Sequence, residues 1–146
     1  MKILLPVLVV VGAAVASAQD PTDAFQPRAT TKQLMVDAIY PASNDILLAV
    51  FRGAPVNDQE WAAVRRSALT LAESANLLMV RGRARDQGEW RAGAAKMSDL
   101  GSAAYAAAQA KDLKALEALA APLDASCTAC HTRYRPNVFP RDGGSR

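Results

Sequence analysis

Apolar residues step through this chain by threes and fours in four successive stretches, and that period admits only helices. Alanine is abundant and runs of β-branched residues are absent beyond the first eighteen positions, so local preference agrees with the period. Four helical segments joined by connections of a few residues imply antiparallel neighbours. The expected fold is all-α, an up-down-up-down four-helix bundle, with neither a repeat nor a second domain.

The first stretch runs from about Thr30 to Phe51, with Met35, Ile39, Ala42, Ile46 and Ala49 on its stripe. Pro41 should kink or break it, because a proline ring collides with the carbonyl four residues earlier. Gly53-Ala54-Pro55 ends it. The second begins near Asp58, a good N-cap, and reaches about Arg81 through Trp61, Val64, Ala68, Leu71, Ala75 and Leu78. The third spans about Gln87 to Ala110, with Trp90, Ala94, Met97, Gly101, Ala104 and Ala108 facing inward. The fourth starts around Asp112 and carries Leu113, Leu116, Ala120, Leu123, Cys127, Cys130 and Tyr134. Pro122 should bend it slightly.

Residues 1–18 read as a cleavable secretory signal: Met1-Lys2 is the positive start, Ile3 to Val15 is apolar, and Ala16-Ser17-Ala18 is a small-residue cleavage site. The apolar run is short for a spanning helix and holds Pro6 and Gly12. No other stretch reads as a membrane span. The expectation is an exported, soluble, periplasmic domain over residues 19–146, with the Pro- and Gly-containing tail 136–146 extended over the surface. The net charge of +3 falls by one with Lys2, and there is no patch of interleaved basic and aromatic residues. Nucleic-acid binding is therefore not expected.

Within the fourth stretch stands Cys127-Thr128-Ala129-Cys130-His131. Two cysteines three apart followed at once by histidine is the attachment pattern of a c-type haem. The spacing follows from the chemistry: two thiols add to the two porphyrin vinyl groups, and the next residue sets an imidazole under the iron. On a helix all three residues share the side that continues the apolar stripe. A structural disulfide between Cys127 and Cys130 is the competing reading in an oxidising compartment. A thioredoxin-like centre lacks its βαβ context, and zinc lacks a fourth protein ligand, because the chain holds no further cysteine or histidine.

The run Cys127-x-x-Cys130-His131-x-x-Tyr134-Arg135 at the end of a fourth helix resembles the class II cytochromes c, the cytochrome c-prime family. The likeness covers about Thr30 to Arg135 in architecture and is specific at this motif. It implies one covalent haem c held by Cys127 and Cys130 against the bundle core, with His131 as proximal iron ligand. It further implies that Arg135 pairs with a haem propionate, that Lys32 does so from the distal side, and that Tyr134 packs on the haem edge. One branch of the family leaves the iron five-coordinate behind an apolar residue of the first helix; another places a methionine there. The stretch Thr31-Lys32-Gln33-Leu34-Met35 corresponds to that site, although the basic residue expected four before the methionine is Thr31, with Lys32 adjacent. Members often pair as homodimers through their first two helices, an option the resemblance extends to this chain.

His131 is the only histidine, which excludes bis-histidine ligation and a distal histidine for peroxide chemistry. Met35 is the candidate sixth ligand, against a bland role in the distal wall beside Val36 and Ile39. Met97 reads as packing, and Met79 as packing or surface. Arg81, Arg83 and Arg85 read as a solvated connection complementing a helix C-terminus, with a docking patch for an acidic redox partner as the alternative. No serine or cysteine has an uncommitted histidine base, so an enzyme is not expected. The resemblance implies single-electron transfer between periplasmic redox partners. The alternatives are a five-coordinate form that binds nitric oxide or carbon monoxide, and a haem-free exported bundle with a disulfide.

Overall fold

The computed structural model describes residues 26–137, so the expected signal at 1–18 and most of the tail lie outside the described residues. Within them the chain is all-α, with four long helices and no strand. Helix α1 spans Thr31–Phe51. Its entry is a capping box: the Gln33 amide donates to Thr30 Oγ1 at 3.2 Å, and the Thr30 amide donates to Gln33 Oε1 at 3.0 Å. Its second turn, Met35–Ile39, is π-helical, and the Tyr40 amide donates to the Met35 carbonyl five residues back. Pro41 therefore neither breaks the helix nor ends it. The wider turn immediately before it relieves the crowding that a proline imposes on the preceding turn, and the helix continues to Phe51.

Helix α2, Asp58–Leu77, is capped by Asn57 rather than Asp58. Asn57 Oδ1 accepts from the Glu60 amide at 2.9 Å, and the Glu60 carboxylate accepts from the Val56 amide at 2.9 Å. Asp58 instead pairs across space with Lys111 at 2.7 Å, which lowers its carboxyl pKa through a hydrogen bond and the lysine charge. Helix α2 also stops at Leu77, short of Arg81. Arg83 is buried, unlike the solvated connection expected of it, and donates to the Leu77 carbonyl at 3.2 Å and the Ala29 carbonyl at 2.7 Å. It thereby complements the C-terminus of α2 and holds the approach to α1 against it.

Helix α3, Glu89–Ala110, starts at Glu89 rather than Gln87 because the Asp86 carboxylate accepts from the Gly88 amide at 2.9 Å and the Trp90 amide at 3.0 Å. Helix α4, Leu113–Tyr134, has the expected cap: Asp112 accepts from the Ala115 amide at 3.0 Å. Pro122 sits inside it without interrupting it.

Helix α2 packs most extensively on α3, α3 on α4, and α1 on both α2 and α4. Every stripe residue expected of α2 and α3 is buried. On α4, Leu116, Ala120 and Leu123 are buried, while Cys127, Cys130 and Tyr134 are half-buried. Helix α1 departs from expectation in two ways. Its core position in the first turn is Leu34, with Met35 only half-buried. Its outer face exposes Val36, Tyr40 and Phe51 beside the charged Lys32, Asp37 and Asp45, and by length and composition the helix is long and apolar enough to cross a membrane. That corrects the expectation that no segment after residue 18 has this property.

Candidate functional site

The α1 and α4 stripes do not close on each other along their whole length. Between them, floored by α3, lies a cavity of about 400 Å³. That volume falls within the roughly 300–1,000 Å³ typical of small-molecule and cofactor sites. Helix α4 contributes Cys127, Cys130 and His131 to its wall. Helix α1 contributes Met35, Ile39 and Leu47, and Leu78, Trp90 and Met97 complete an apolar lining. Val36 and Tyr40, each more than half exposed, mark its mouth.

The helix periodicity of α4 explains why its three chemical residues arrive together. Positions i, i+3 and i+4 share one face, and the last turn is held by the Arg135 amide donating to the His131 carbonyl at 2.7 Å. Burial raises the pKa of both thiols; at Cys130 the Cys127 and Asp86 charges add to it, and at Cys127 a hydrogen bond with Ser126 opposes it while the Asp124 charge adds. Burial first, then the Arg135 charge, lowers the His131 pKa. The site therefore favours neutral thiols and a neutral imidazole, the form of histidine that ligates a metal. Cys127 and Cys130 are free thiols here. Among the described residues no group of three or more His, Cys, Asp or Glu side chains is gathered to hold a metal ion. The CxxCH residues thus share a wall without forming a multidentate chelate.

No family model, curated protein or solved structure matches this chain.

The remaining residues singled out from the sequence divide. Arg135 lines the cavity. Lys32 is exposed on the first turn of α1 and is not part of the lining. Tyr134 also lies outside the lining; its ring meets Trp90 edge-on, with centroids 5.0 Å apart and planes at 83°. Its hydroxyl donates to the Asp86 carboxylate. That bond, with the Trp90 and Gly88 amides, lowers the Asp86 pKa and raises that of Tyr134. Arg133 pairs with Glu89 at 2.9 Å beside it. The start of α3 is in this way tied to the last turn of α4, next to His131.

Four residues of the cavity and its frame were not singled out as site residues. Trp90 donates its indole N–H to the Leu78 carbonyl at 2.7 Å, which fixes the ring in the cavity floor. Met97, read as packing, is a cavity wall, and Gly93 beside it leaves space where a Cβ would meet nothing within 4 Å. The signal for this floor was present in the Trp90, Ala94, Met97 stripe. Asp86, by contrast, belongs to a connection whose partner lies far along the chain, and no local pattern announces it.

Proposed function

We propose that this chain is an exported monohaem c-type cytochrome of the class II kind, an antiparallel up-down-up-down bundle that carries single electrons between periplasmic redox proteins. The observation that carries the reading is that one apolar cavity is shared by Cys127, Cys130 and His131 on α4 and Met35 on α1. The donor set fits the group. Two thiols at i and i+3 match two vinyl side chains, each S–H adding across one double bond to leave a thioether. His131 would supply one ligand as a neutral imidazole, and the Met35 thioether on α1 would be available as a second. Bound haem would supply an iron that changes by one electron; the chain's residues do the rest.

In this reading Cys127 and Cys130 would retain the group, and His131 would hold it through one nitrogen. Leu78, Trp90 and Met97 exclude water, which keeps the local dielectric low. Arg135 offers a cation to a propionate. A histidine and methionine ligand pair would raise a haem potential and saturate the iron, which suits electron transfer over substrate activation. The second reading, a five-coordinate protein binding nitric oxide or carbon monoxide, draws on the apolar Val36, Ile39 and Leu47 beside Met35. Visible spectra of oxidised and reduced protein, with and without carbon monoxide, separate the two. A low-spin spectrum unmoved by carbon monoxide is expected. A high-spin ferrous form that binds it readily would replace the first reading with the second, and a colourless protein would remove both.

A further inference from the structure

A π turn adds one residue to an α-helix. With 3.6 residues per turn, that residue rotates everything before it by about 100° relative to everything after it. The effect is visible on α1. Stepping back by α-helical spacing from Ile46, Ala42 and Ile39 leads to Met35 as the core position. The structure instead buries Leu34 to 8% exposure and turns Met35, half-buried, onto the cavity wall, with the 56% exposed Val36 at the mouth. The π turn spans Met35–Ile39 and ends two positions before Pro41. Pro41 has no amide hydrogen with which to bond the Asp37 carbonyl, and its ring would crowd that carbonyl in a regular helix. Val36, Asp37 and Pro41 are all exposed, so water can serve the carbonyls that the wider turn leaves without helical partners.

We propose that Pro41, through this π turn, is the positioning residue that presents Met35 rather than Val36 to the CxxCH wall. The proposal deepens the cytochrome reading, because it assigns what sets the sixth ligand. In a regular α register Met35 would take the core position of Leu34, and Val36 would take the cavity position of Met35. Leucine and methionine exchange in a core at small cost, so the alternative register is accessible to the fold. Pro41 thus decides between a sulfur and a branched hydrocarbon at the iron's distal side.

The test uses two variants of the exported, full-length protein with 13C-methyl methionine. In Pro41→Ala the helix regains an N–H at position 41 and loses the ring. The Met35 methyl should lose its NOEs to the cavity-floor residues Trp90 and Met97, read on the reduced protein, and the ferric protein should shift from low to high spin. Deleting Asp37 in the Pro41→Ala background removes the extra residue, so a regular helix again brings Met35 to the cavity; both signals should return. Because Pro41 and Asp37 are exposed, neither change opens the core. Retention of the Met35 cavity NOEs in Pro41→Ala would overturn the proposal, as would failure of the deletion to restore them. A native protein without haem would overturn the cytochrome reading alone, and the methyl contacts would still decide the role of Pro41.

Discussion

The α2–α3 seam and the α1–α4 seam are built from the same kind of helix, yet one is closed and the other open. Across the first, a Cβ at Gly101 would stand 2.6 Å from the Ala72 backbone nitrogen, and Ser98 Oγ donates to the Ala72 carbonyl at 3.0 Å. The backbones touch because small residues allow them to. Across the second, the two stripes part around a cavity of about 400 Å³, and the helix on one side is re-aimed by a π turn. One seam is closed by backbone contact; the other holds space that the chain's own side chains do not fill. Unfilled apolar space in a core costs stability, and occupation by an apolar group recovers it.

The largest expected effect breaks the open seam. Replacing both thiols (Cys127→Ser with Cys130→Ser) should abolish covalently bound haem, read as loss of haem stain on a denaturing gel. Next, Met35→Leu should keep the haem attached but turn the iron high-spin and open it to carbon monoxide, seen in the visible spectrum. The closed seam responds differently. Gly101→Ala forces the α2 and α3 backbones apart and should cost about 1–3 kcal/mol in urea unfolding, with the spectrum unchanged.

The smallest effect belongs to the tie between the seams. Asp86 has its pKa lowered by the Tyr134 hydroxyl and the Trp90 amide, so its contribution to stability is present above the unfolded carboxyl value and is lost as pH falls through the folded one. The Tyr134 pKa is raised, so its share is present below the unfolded phenol value and is lost as pH rises through the folded one. Asp86→Asn should therefore flatten the stability profile below about pH 4, while Tyr134→Phe should flatten the alkaline limb above about pH 10. Thermal melts across pH check both. An unaltered acid limb in Asp86→Asn would mean that the tie contributes nothing.

The two seams also differ in how far the sequence disclosed them. The α2 and α3 stripes were legible to the residue, because a regular helix converts spacing directly into burial and nothing interrupts the period from Trp61 to Leu78 or from Trp90 to Ala108. On α4 the same rule brought Cys127, Cys130 and His131 to one side. It failed on α1, where the Met35, Ile39, Ala42 spacing presumes an α turn and the chain forms a π turn instead, and the buried residue moved to Leu34. The N-cap of α2 slipped by one residue because Asn57 and Asp58 are equally able caps. Only the reach of Glu60 back to Val56 and of Lys111 across to Asp58 separates them. Asp86 with Tyr134 depends on two helix ends meeting in space, which no local pattern encodes.

We propose that the open seam is a haem site with the group bonded to Cys127 and Cys130. Intact-mass measurement of the exported native protein under denaturing conditions, with thiol titration on the same sample, tests it most directly. A haem bonded there gives a single species heavier than the mature chain by one haem, with neither thiol reactive. A mass equal to the chain alone, with two reactive thiols or one disulfide, would contradict it.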